Sequence, residues 1–135
     1  MAPKITHEQI AAAFDVARDV FDQKLAKARG VQALHEDHGL NKVSAGDLIE
    51  IFRSMMTGKV FQRTLSIDGT CHFLQRIEQE RPTHLAEAVA SNVKHLDYYD
   101  GLVTGHPQPS KRKLIDEWVV RISKPGNLND LETAF

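Results

Sequence analysis

Apolar residues recurring three and four positions apart are the feature that most narrows what this chain can fold into. Ile10, Phe14, Ala17, Phe21 and Leu25 keep that interval, which predicts an amphipathic first helix over about 7–27. The same spacing returns in Leu48, Ile49, Phe52, Met55 and Met56, then in Phe73, Leu74 and Ile77. It returns again in Leu85, Ala88, Val89, Asn92 and Leu96, and in Leu114, Trp118 and Ile122. No segment alternates apolar and polar residues as a half-buried strand would. The expected fold class is therefore all-α, a single compact bundle of about six helices. The helical domain is expected over 1–123, followed at 124–135 by a tail or linker, "KPGNLNDLETAF".

Local signals divide the pattern into elements. "THEQ" at 6–9 has the form of a capping box, with Thr6 accepting from a first-turn amide and Gln9 reaching back. Gly30 is expected to break or bend the first helix, and a short helix carrying Val31 and Leu34 should stop at a left-handed Gly39. Ser44 is expected to cap the next helix, with Asp47 favouring its positive end and Gly58 closing it. Ser66 or Asp68 can cap a fourth helix that Pro82 closes, and Thr83 opens a fifth that runs to "HLDYYDG". "TGHPQPS" is a break, after which Ser110 is expected to cap the last helix, "KRKLIDEWVVRIS".

Composition removes several classes of function. The 135 residues are enough for one real core, with 41% hydrophobic and 26% charged residues and a formal net charge of −1. Attraction to DNA must then be local, with acidic residues gathered elsewhere. Cys71 is the only cysteine, which excludes an intrachain disulfide and a multi-thiolate zinc site. No apolar run approaches the roughly 18 residues of a membrane span, and no signal-peptide core opens the chain. The expectation is a soluble, cytoplasmic protein with no membrane partner.

Residues 31–57 have the layout of a helix-turn-helix, whose second helix enters the major groove by its N-terminal end. Asn41, Lys42 and Ser44 would approach bases there, with Asp47 beside them and Arg53 as the helix's exposed cation. An ordinary helical corner explains the same residues. "GKVFQRTLS" concentrates Lys59, Phe61, Gln62, Arg63, Thr64 and Ser66, suited to pinning phosphates and to an anion at the following helix start. Equally, Phe61 can pack on the core and Arg63 pair with a carboxylate. Lys111, Arg112 and Lys113 oppose the macrodipole at the last helix's start, which fits either a phosphate role or a solvated face. His95, Tyr98 and Tyr99, with Phe61, could form a pocket for an extruded base or simply close a helical core.

Catalytic signals are weak. His35 and His38 in "HEDH" could share a helix face, yet no further ligands follow at zinc-type spacing, HExxH is absent, and surface histidines are the plainer account. Cys71 and His72 are adjacent, so a helix points them apart. Neither a catalytic group nor a metal or other cofactor is expected.

One resemblance organises these pieces. The order "GLNKVSAGDLIEIFRSMMTGKVFQRTLS", an aromatic–Leu pair, "RIEQ" and "LAEAVASNVKHLDYYD" resembles an N-terminal helical module found ahead of HNH nuclease domains in bacterial restriction endonucleases. The matching residues are Asn41, Ser44-Ala45, Met56-Thr57-Gly58, Arg63-Thr64, His95 and Tyr98-Tyr99, over about residues 7 to 102. Gly46-Asp47-Leu48 departs from it, since the family more often has a polar residue, Asp and an aromatic there. The resemblance implies a non-catalytic DNA-binding specificity module whose nuclease lies in a longer chain, reading double-stranded DNA with modified cytosine as its expected target. The alternative is a protein-interaction or homodimerisation bundle that uses apolar residues of the first and last helices.

Overall fold

The computed structural model describes residues 5–101 and 108–123. Within them the chain forms six α-helices and a single 3-10 turn, with no strand among the described residues. The helices are α1 (His7–Phe21), α2 (Lys27–His38), α3 (Lys42–Thr57), α4 (Ile67–Glu80), α5 (Leu85–Asp100) and α6 (Pro109–Ser123), and the turn is Pro82–His84. The expected break at "TGHPQPS" falls largely, and the expected tail after Ser123 wholly, outside the described residues.

α3 is the centre of the bundle. It packs on α1 and α2 along one side and on α5 along the other, while α4 joins α1 to α5 and α6 covers α5. A helix enclosed from two sides needs more than a single apolar stripe. Ala45, Leu48, Ile49, Ile51, Phe52, Met55 and Met56 are accordingly all buried. Phe14 of α1 meets Phe52 edge-on at 5.1 Å and Phe73 of α4 at 5.4 Å, so one aromatic cluster ties three helices. No described helix is long and apolar enough to cross a membrane.

Several boundaries follow the expected chemistry. The capping box at Thr6 and Gln9 is formed in both directions. Gly39 (φ 72°) and Gly58 (φ 68°) end α2 and α3 in the left-handed conformation that only glycine adopts freely. Ser66 caps α4 by accepting from the Gly69 amide at 3.0 Å.

Other boundaries differ. α1 ends at Phe21, not near 27. Gln23 turns the chain at φ 63°, and the guanidinium of Arg81, just past α4, bonds the carboxylate of Asp22, the residue whose backbone N–H closes α1. Gly30 does not break a helix; it lies inside α2, buried against α1. A Cβ there would stand 2.8 Å from Val16 Cγ1 and 3.1 Å from Val20 Cγ2, so this glycine lets the two helices approach closely. Asn41, not Ser44, caps α3. Its side-chain oxygen accepts from the amides of Val43 at 2.8 Å and Ser44 at 3.4 Å, and Ser44 lies in the first turn. Pro82 and Thr83 form the 3-10 turn, and α5 begins at Leu85. α6 begins at Pro109, one residue before Ser110.

Two of the helical glycines, Gly30 and Gly46, should therefore respond in opposite directions. Gly30→Val drives branched carbons into α1 and is expected to lower stability by about 1–3 kcal/mol. Gly46→Ala adds a methyl whose nearest neighbour is 3.9 Å away and should raise stability by up to about 1 kcal/mol through helix propensity. Urea midpoints of the two variants against the parent check both signs.

Candidate functional site

Residues 59–66 form no regular structure, so their carbonyls cannot bond along the chain. α5 and α6 supply the partners. Lys94 Nζ donates to Gly58 O at 2.7 Å, Ser91 Oγ to Lys59 O at 2.5 Å, and Tyr99 Oη to Gln62 O at 2.7 Å. His95 Nδ1 lies 2.6 Å from Phe61 O, and since a carbonyl only accepts, this nitrogen carries the proton. Lys111 Nζ, from the first turn of α6, donates to Leu65 O at 2.7 Å. The chain is thereby clipped down at the carbonyls of Gly58, Lys59, Phe61, Gln62 and Leu65, with Phe61 and Leu65 buried and Lys59, Gln62, Arg63, Thr64 and Ser66 exposed. Among the described residues, the amides of Val60 to Ser66 donate to nothing.

The candidate residues at the start of α3 lie beside this loop. Arg63 Nε is 3.6 Å from Asp47 Oδ1, which brings the loop against the N-terminal part of that helix. Arg63 is 73% exposed, so the contact leaves most of its guanidinium open to solvent. Ser44 is one turn before Asp47, and Lys42 and the cap Asn41 are within two turns of it, with Asn41 and Lys42 exposed. The Asn41 oxygen is already committed to capping, so any base it meets faces its amide NH2. Arg53, two turns further along α3, lies 3.8 Å from Glu50.

The basic run on α6 does not act as one patch. Lys111 is 2% exposed and its ammonium is turned inward onto Leu65 O. Arg112 is held by Asp97 at 3.2 Å and by Asp100. Lys113 is exposed. The aromatic group divides in a similar way. Phe61 and His95 stack on each other at 4.1 Å and are both buried, and Tyr99 meets the edge of His95 at 4.9 Å. A base entering between them would have to displace a core ring. Tyr98, 37% exposed and edge-on to Tyr99 at 5.6 Å, is the ring open to a ligand.

Burial sets the charge states. It pushes the His95 imidazole down to about 4, against the bond to the Phe61 carbonyl and with the help of the nearby Lys111 cation. Neutral His95 with its proton on Nδ1 leaves Nε2 a buried lone pair that has no partner. Burial also lowers the Lys111 ammonium to about 8. Sequence reasoning missed both roles, together with Ser91 and Lys94, because nothing local says which carbonyl a side chain will find.

Of the two histidines in α2, the His35 ring is used structurally, whereas His38 contributes its backbone carbonyl and leaves its side chain exposed. His35 Nδ1 bonds Leu40 O at 2.8 Å, and His38 O accepts from Gln9 Nε2 at 2.8 Å. Among the described residues, no group of three or more His, Cys, Asp or Glu could hold a metal ion. Compared with known proteins, the chain matches no family model, no curated protein and no solved structure.

A pH dependence follows from His95. Its folded pKa of about 4 lies below the 6.5 of an unfolded imidazole, so the unfolded chain takes up the proton first as pH falls. The stabilisation is full above pH 6.5 and is lost progressively down to about 4, amounting to on the order of 3 kcal/mol. His95→Gln, which keeps a donor but cannot titrate, should flatten the dependence of urea-unfolding free energy on pH between 7 and 4.5.

Proposed function

We propose that this protein is a DNA-binding specificity module with no catalysis of its own, holding the phosphate backbone along residues 59–66 and reaching bases from the start of α3. The observation that carries the reading is the clipped loop. Its carbonyls are engaged from behind by Ser91, Lys94, His95, Tyr99 and Lys111, while Lys59, Arg63, Thr64 and Ser66 stand exposed with unengaged amides between them. Cations, hydroxyls and backbone N–H groups are the donors that phosphate contacts use. A loop already fixed in the free protein loses little freedom on binding, which favours affinity. In this reading Asn41, Lys42, Ser44 and Gln62 face base edges, and Tyr98 is the ring available to an extruded base. Its place beside an HNH nuclease in a restriction enzyme, and its preference for modified cytosine, rest on the ordered sequence blocks.

A protein-interaction or homodimerisation role is the second reading. It is favoured by the exposed Val119 and Val120 of α6. In α1 the apolar face is turned into the core, with Ile10, Ala13, Phe14 and Ala17 buried.

Fluorescence anisotropy against matched duplexes carrying cytosine, 5-methylcytosine or 5-hydroxymethylcytosine, at two salt concentrations, separates the two. Duplex affinity should fall steeply with salt, whereas an apolar interface should be nearly indifferent to it. Arg63→Ala should weaken duplex binding more than about tenfold with unchanged helical circular dichroism. Asp47→Asn removes a carboxylate beside the phosphates and should strengthen it several-fold. Unaltered affinity in Arg63→Ala would take the loop out of the interface.

A further inference from the structure

A cleft of about 310 Å³ separates the start of α4 from the start of α6, lined by residues 64–67 and 108–111. Every charged feature of this cleft has the same sign. Lys111 is a cation at 2% exposure whose one bond is to the Leu65 carbonyl, although an ammonium has three donors. Among the described residues no carboxylate lies within ion-pair distance of it, and none lines the cleft. Asp68, in the first turn of α4, is engaged by His7 of α1 at 3.2 Å. The nearby imidazole of His95 is neutral and supplies no counter-charge.

Buried cations in folded proteins are ordinarily paired, because an unpaired one forfeits its hydration without compensation. Lys111 in addition sits in the first turn of a helix, where the macrodipole opposes a positive charge. The depressed affinity of this amine for its proton is the same conflict seen in another quantity. The cleft also holds the hydroxyls of Ser66 and Ser110, and the amides of Ile67 in the first turn of α4 and of Ser110 in α6 find no acceptor among the described residues. Donors arriving from two helix starts and a side chain suit an anion with several oxygens directed apart, more than a planar carboxylate.

We propose that this cleft is a binding site for a phosphate group, with Lys111 as the counter-charge and Ser66, Ser110 and the two helix starts as its hydrogen-bond donors. Phosphate monoesters of small molecules and the phosphodiester of a nucleic acid share this chemistry. The site shares Ser66 with the loop of the duplex reading, but its test, read on Lys111, does not depend on duplex binding.

The test follows the side-chain Nζ and Cε resonances of Lys111 through a pH titration of the whole protein, in chloride and in inorganic phosphate at equal ionic strength. Bound phosphate should raise the Lys111 midpoint from about 8 by about one unit or more, while the exposed Lys113 stays put. In thermal melts phosphate should stabilise the protein saturably, and Lys111→Met should abolish that response. Ribose 5-phosphate and dimethyl phosphate then separate the sources: preference for the first marks a small-molecule monoester site, and preference for the second a nucleic-acid strand. A Lys111 midpoint that is the same in phosphate and in chloride overturns the proposal, and since this is read on the unaltered protein it decides even if Lys111→Met does not fold.

Discussion

An irregular segment packed against a helix has to find acceptors and donors outside itself, and residues 58–65 meet that demand through the side chains of α5 and α6. Each buried carbonyl left unbonded would cost free energy comparable to a lost hydrogen bond. This accounts for an otherwise odd feature of α5, whose inward face carries Ser91, Asn92 and His95, all buried, where an apolar stripe would be expected. Ser91 and His95 are there because Lys59 O and Phe61 O are there. The same requirement fixes α6, whose first turn is anchored to the loop by Lys111 while Ile115 and Trp118 fill the space behind it.

Cooperation among these bonds gives the loop its shape. Stacking on Phe61 and donation to its carbonyl hold the His95 ring from two directions, which sets both its tautomer and its neutrality. Tyr99 joins Gln62 O to the Thr64 hydroxyl, at 2.7 and 3.2 Å, and so carries the restraint to the next turn of the loop. Removal of His95 or Lys111 strands a buried carbonyl, whereas the carbonyls met by Tyr99 and Lys94 lie at the surface within reach of water. Together these bonds make the exposed side chains between them, Gln62 and Arg63, project from a fixed backbone.

The fold was legible because it depends on spacing. Ile10–Phe14–Ala17 and Leu48–Phe52–Met55 state their helices in the chain itself, and Gly39 and Gly58 state where two of them stop. What remained hidden depends on partners distant in sequence. Gly30 reads as a helix breaker until Val16 and Val20 lie across from it, and the end of α1 is set partly by Arg81, far along the chain. The α3 cap went to Asn41 over Ser44 by a shift of three residues, within the ordinary uncertainty of reading a cap from a run of polar residues. At the candidate site the exposed residues of the loop were legible from composition. Lys111 was not, since a lysine in the run "SKRK" gives no local sign that it alone will turn inward.

Net charge says little about such a molecule, because its charges are sorted by place. Arg18, Arg76 and Arg81 are occupied with Asp15, Asp22 and Glu80 where α1 meets the end of α4. Arg112 is occupied with Asp97 and Asp100. Lys42 and Lys59, by contrast, have no carboxylate within ion-pair distance among the described residues, and Arg63 has one long contact. Cations without a carboxylate within ion-pair distance are spread over the surface, at Lys24, Arg29, Lys94 and Lys113 as well as at the start of α3 and the loop beside it. At physiological ionic strength a charge is felt over roughly 8 Å. A near-neutral protein sorted in this way exerts little long-range pull, so the influence of each exposed cation is confined to its own neighbourhood on the surface.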